Sequence, residues 1–220
     1  MSPRTVFEQE LSQLKNAVRE MSERAEISYE KLIMAAIRNQ REVLEHLLVV
    51  DREFLDMQRH IEAMCLKLLT KQQPIATDLR IVSAALKVVT DVERIGDHVT
   101  DMAELFLRLE PPYNPERGAL LQAMMEAAKE MVHDAVEAFV NGDMNLAAKV
   151  IAQDDMVDDY FNQVKEQMMQ GIQNHTMGAD EIVDVLMLAK YVEKIADHAV
   201  NISEWSVFQQ TGNMQEKRLL

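Results

Sequence analysis

Apolar residues recur along this chain at alternating steps of four and three, the spacing that keeps them on one side of an α-helix. Val43, Leu47, Val50, Phe54, Met57, Ile61, Met64 and Leu68 form one such stripe, and Ile81, Ala85, Val88, Val92, Ile95, Val99, Met102 and Phe106 form a second. A stripe sustained over so many turns is the seam of a helix packed lengthwise on its neighbours. The pattern predicts six helices, over Val6–Arg38, Arg41–Lys71, Ile75–Leu109, Ala119–Val140, Met144–Gln173 and Ala179–Gln210. Turn residues separate them, at Asn141-Gly142-Asp143, from Asn174 to Gly178, and at Pro74 ahead of Thr77-Asp78. The strongest interruption is the run from Leu109 to Gly118, where Pro111, Pro112 and Pro115 remove backbone donors and cannot continue a helix. It divides the chain into a first three-helix unit over 1–110, a second over 116–211, and a tail, 212–220, expected to fray.

The two units are copies of one another. Val92-Glu93-Arg94-Ile95-Gly96-Asp97-His98 returns 100 residues later as Val192-Glu193-Lys194-Ile195-Ala196-Asp197-His198, and the match runs on through Asp101 and Glu104 to Asn201 and Glu204. A second pair, Val50 to Met57 and Gln153 to Tyr160, keeps the same order at an offset of 103. An internal repeat settles the fold class before other considerations. The expectation is an all-α protein of two pseudo-symmetric three-helix bundles.

Glu93 and Asp97 are four residues apart, with Asp101 and Glu104 beyond them, so the spacing puts four acids along one helical face. Followed backwards, that face continues as Val89, Leu86 and Val82, so the carboxylates prolong an apolar stripe instead of opposing it. Like charges at this spacing cost a helix a few tenths of a kcal/mol per pair, and burial adds to that unless a cation or proton compensates. The last helix repeats the ladder with Glu193, Asp197, Asn201 and Glu204. Carboxylates on neighbouring helices are hard ligands suited to magnesium, manganese, calcium or iron. Asp51 and Asp56 on the second helix, and Asp154, Asp155, Asp158 and Asp159 on the fifth, are candidates to complete the clusters. The competing reading is a solvated face in which Arg94 and Lys194 are salt-bridge partners. A ferritin-like di-iron site would need Glu-x-x-His, but Gly96 and Ala196 stand where the histidines belong. Small residues there let a neighbouring helix or an ion approach the backbone.

Composition narrows the function classes. A net charge of −14 opposes binding to nucleic acid and favours cations or basic partner surfaces. With 48% hydrophobic residues and 27% charged, the chain falls in the ordinary globular range. No stretch approaches the ~18 apolar residues needed to cross a bilayer, and nothing in Met1–Glu10 reads as a signal peptide, so the expected location is cytoplasmic. The single Cys65 sits in an apolar run and reads as a buried thiol, and the 16 methionines read as core gap-fillers. No phosphate-cradling glycine loop, Gly-x-Ser-x-Gly elbow or zinc-spaced Cys/His cluster is present, which argues against an enzyme.

Taken together, Glu93 to His98 with its second copy, the run Gln72 to Arg80, and Asn201 to Trp205 followed by Thr211-Gly212 resemble the PhoU family over nearly the whole length. That resemblance implies E(D)xxxD motifs that hold iron, zinc, manganese or magnesium, and these fall on Glu93/Asp97 and Glu193/Asp197, with Asp101 extending the first. It also implies a negative regulator of phosphate uptake and phosphate-starvation signalling, acting as a homodimer with the phosphate ABC transporter ATPase and a membrane sensor histidine kinase. The second copy departs from the pattern at Lys194, Ala196 and Asn201, so the two sites are expected to differ in charge and metal content. Two other readings stand beside it: a metal-free acidic adaptor, and a dimetal carboxylate enzyme.

Overall fold

The computed structural model describes residues 3–72, 74, 77–109, 113–114 and 118–213. Among the described residues there are seven helices: α1 (Pro3–Ile37), α2 (Arg41–Leu47), α3 (Val50–Gln72), α4 (Thr77–Arg108), α5 (Ala119–Asn141), α6 (Met144–Gln173) and α7 (Ala179–Thr211). No strand occurs among the described residues. The predicted turn at Gly142 bounds helices as expected, and α4 begins at Thr77, after Pro74. The expected start at Ile75, most of the proline-rich linker and residues 214–220 lie outside the described residues.

The helices form two layers. In the first, α4 and α7 pack side by side at the centre, flanked by α3 and α6 respectively. In the second, α1 lies over α3 and α4, α5 lies over α6 and α7, and the two touch each other. The central pair runs antiparallel. Arg80 donates to the carbonyls of Gln209 (3.3 Å) and Gln210 (3.4 Å) at one end, and at the other Arg108 Nε meets Asp184 Oδ2 at 3.1 Å. Arg80 thereby puts a cation on the open C-terminus of α7, where the helix dipole favours it. The apolar stripes become the core: Phe54, Ile61, Cys65 and Leu68 of α3 and Val88, Val92, Ile95, Val99 and Met102 of α4 are all buried. Burial pushes the Cys65 thiol up to about 12, as expected for an inert core cysteine.

Two local devices fix the second unit. Gly142 adopts a left-handed conformation (φ 69°), which ends α5, and the Asp143 side chain accepts from the amides of Asn145 (2.9 Å) and Leu146 (3.1 Å), which starts α6. Ser206 and Gln209 of α7 then donate to the carbonyls of Ala138 (2.8 Å) and Phe139 (2.7 Å), satisfying the last turn of α5.

One helix departs from the six expected. The second, predicted as continuous over Arg41–Lys71, is broken into α2 and α3 at Leu48-Val49. The run Leu47-Leu48-Val49-Val50 is apolar in four successive directions, so no single helical phase buries all of it. The break buries Leu44 and Leu47 and leaves Leu48 and Val49 exposed. Thr100 of α4 donates to the Leu47 carbonyl at 3.2 Å, capturing an acceptor that the interrupted helix leaves open. The corresponding α6 is unbroken, and Val200 stands where Thr100 would be needed.

No described helix is long and apolar enough to cross a membrane.

Candidate functional site

The α4 ladder does not stay on one face. Successive i, i+4 steps each advance about 40° around the helix, so eight residues turn the direction by about 80°. Glu93 and Asp97 accordingly lie toward α3, while Asp101 lies toward α7. Glu93 is 9% exposed, the deepest acid of the first ladder. Its carboxyl is held above the usual range, first by burial and then by the charges of Asp97 and, from α3, Asp51. Arg94 opposes this rise: its guanidinium meets Asp97 at 2.9 Å and Glu93 at 3.7 Å. His198 also lowers the Glu93 value from across the seam.

The second ladder is compensated differently. Lys190 forms an ion pair with Glu193, and Lys194 with Asp197 at 2.5 Å. Asp154 of α6 is buried, and its charge, with those of Glu193 and Asp197, contributes to raising the Lys194 ammonium; the Asp197 hydrogen bond is the foremost cause. In each repeat one acid of the adjacent helix acts on the ladder: Asp51 on Glu93, and Asp154 on Lys194, which pairs with Asp197. Asp56 stays apart, with its side chain 81% exposed and only a 3.9 Å approach to Arg59. Asp155 and Asp159 are likewise on the exposed side of α6.

Asp101 and Asn201 belong to the seam between the repeats. The Tyr191 hydroxyl bonds Asp101, and the tyrosine is raised by burial and by that carboxylate. His98 packs against Tyr191 and His198, with ring centroids 5.3 and 5.6 Å away. His198 Nδ1 lies 2.8 Å from Asp91 Oδ1, and Asn201 donates to the same oxygen at 3.2 Å. Sequence reasoning missed Asp91, Tyr191 and Lys190. Asp91 and Tyr191 occupy equivalent positions but differ chemically, so the repeat comparison passes over them.

A resident metal tests differently in the two halves. Among the described residues no three His, Cys, Asp or Glu side chains are arranged to hold an ion. The donor set of Glu93, Asp97 and Asp51 suits a hard cation, and the raised Glu93, only partly offset by Arg94, favours one. Arg94 occupies the two ladder carboxylates and would have to swing away. In the second half two ammonium groups already sit on Glu193 and Asp197.

Comparison with known proteins places this geometry. The model of the PhoU domain matches residues 18–106 and again 121–206. A phosphate-specific transport system accessory protein PhoU homolog of Synechocystis sp. is 31% identical, covering 96% of this chain and 94% of its own. The homolog of Clostridium acetobutylicum is 29% identical over 95% and 96% of the two chains. The crystal structure of PhoU from Pseudomonas aeruginosa superposes with a TM-score of 0.89 at 25% identity, covering 94% of this chain and all of that one.

Proposed function

The chain belongs to the PhoU family, and on that basis we propose that it is a non-enzymatic regulator of phosphate uptake and phosphate-starvation signalling that works in the cytoplasm. The observation that carries this reading is the match of the family model to both repeats, together with relatives named as accessory proteins of phosphate-specific transport over nearly their full length. By the same reading its partners are the phosphate transporter ATPase and a membrane sensor kinase, and it acts as a homodimer. Deleting the gene in its own host should raise a phosphate-starvation reporter in phosphate-replete medium, with the wild-type chain restoring repression. Unchanged reporter output in the deletion strain would sink the proposal.

The metal part is narrower. We propose that Glu93, Asp97 and Asp51 hold a divalent or trivalent cation, of iron, zinc, manganese or magnesium, whose contribution is to neutralise a buried carboxylate and stiffen the α3–α4 contact. Arg94 is then the gate, leaving Glu93 and Asp97 when the ion enters. Support comes from the raised Glu93 carboxyl, which lacks the second cation that Lys190 gives Glu193. Elemental analysis of protein purified without a metal column should find metal that Glu93→Gln/Asp97→Asn removes and Glu193→Gln/Asp197→Asn leaves in place. Metal-free parent protein, with melting unaffected by each ion, would favour the metal-free adaptor instead.

A further inference from the structure

A groove lies where α1 meets the junction of α2 and α3. A cavity of about 690 Å³ lies between α1, α2 and α3, floored by Ile27, Val43, Leu47 and Val50. Ile27, on α1, is 51% exposed at this surface. A second depression of about 550 Å³, between α1 and α5, shares Glu23 and Ile27 with the first, so the two form one saddle across α1. Seven carboxylates line this surface against four lysines and arginines. Some are paired, as Arg24 with Glu53 at 2.7 Å, but both members of that pair are half-exposed and exchange readily with solvent. Among the described residues Glu20 and Glu23 form no ion pair, unlike Glu53 and Glu26.

The two repeats differ at this junction. At the equivalent place α6 runs on without a break, with Ala152 and Gln153 where the first repeat has Val49 and Val50. In the first repeat the junction instead contributes Val43, Leu47 and Val50 to an apolar floor beside the half-exposed Ile27.

We propose that this saddle docks an amphipathic helix of a partner protein, its apolar face on Ile27 and the groove floor and its lysines or arginines against Glu20, Glu23 and the neighbouring acids. An apolar strip rimmed by acid matches the helix-in-groove mode of recognition, and the sign of the rim selects a basic ligand. The proposal does not depend on the carboxylate ladder or on any metal.

The test uses the full chain and a labelled synthetic helix with one leucine face and one lysine face, followed by fluorescence anisotropy. One-to-one binding is expected, weakened by about tenfold or more in Ile27→Asp and separately in Glu20→Lys/Glu23→Lys. Val183→Asp, at an exposed position of α7 away from the saddle, is expected to leave it unchanged. A peptide with glutamates in place of the lysines is expected not to bind. Because Ile27 is half-exposed, its variant should keep the parent melting temperature, which circular dichroism checks. Equal binding by parent and Ile27→Asp would overturn the proposal, as would equal loss in Val183→Asp, which would mean diffuse charge attraction. It would also fall if Ile27→Asp abolished a self-association of the parent seen by sedimentation, which would make the occupant a second copy. Binding of the parent to phosphatidylcholine vesicles, lost in Ile27→Asp, would reassign the surface to a membrane and equally overturn it.

Discussion

The two repeats solve the same packing problem with opposite choices of size. In the first, Gly96 of α4 faces Phe54 of α3 so closely that an added Cβ would lie 2.3 Å from the ring. At the equivalent places the second has Ala196 and Val157, both buried. A large residue on one helix is matched by none on its neighbour, or a medium one by a small one. Charge follows a similar rule: the first ladder has one nearby cation, Arg94, whereas the second has Lys190 and Lys194. The repeats answer the same contact with different complementary pairs, so a residue is meaningful only with the partner it packs against.

The largest effect should come from mixing the two choices. Gly96→Ala drives a methyl group into a buried ring that has no room to move, and overpacking of this kind typically costs ~1–3 kcal/mol. Urea denaturation should show the loss, and Phe54→Val in the same chain should recover most of it by recreating the pair of the second repeat. A full-size penalty in the double mutant would break the comparison. Next comes Thr100→Val, which copies Val200 and removes the donor to Leu47: a loss of about 1 kcal/mol is expected from the same measurement.

Smaller again is Thr90→Lys, which gives Glu93 the counterpart of Lys190. The Glu93 carboxyl is raised in the folded protein, so above that value its ionised form weakens folding, and stability is regained as pH falls through it. Carbon NMR titration in chelator should show the Thr90→Lys variant bringing Glu93 down toward the ordinary range, and elemental analysis should show less bound metal. The smallest effect concerns the other meeting of the repeats, α1 on α5, where His133 Nδ1 lies 2.9 Å from Glu26. That hydrogen bond raises the imidazole. Its contribution is complete below the unfolded value of roughly 6.5 and is lost as pH rises through the higher folded value. Proton NMR should find His133 titrating lower in Glu26→Gln, with stability changed by no more than a few tenths of a kcal/mol for so exposed a pair.

Much of this architecture was legible in the chain itself. The stripes of α3 and α4 announced their buried faces because long helices repeat the same signal over many turns. The break at Leu48-Val49 was not legible, since no proline or glycine marks it and the hydroxyl that takes up the opened carbonyl, Thr100, lies fifty-three residues from Leu47. Of the candidate ligands, spacing identified Glu93, Asp97, Glu193 and Asp197 as neighbours, and Asp51 and Asp154 joined them from the adjacent helices. Asp56, Asp155 and Asp159 did not, because α3 and α6 turn those positions outward. Asp101 was misplaced by treating a drifting row of side chains as a straight one.

The antiparallel seam of α4 and α7 carries a further implication. Because each half offers the other a surface much like its own, the contact has the form of a symmetric dimer interface whose two subunits share one chain. The linker then acts as a tether: it replaces a concentration-dependent encounter by an intramolecular one and keeps the pairing intact at any dilution. It also releases each half from having to fit itself. A mutation such as the one that separates Asp91 from Tyr191 needs an answer at only one place across the seam, and the two halves are free to take on unequal tasks.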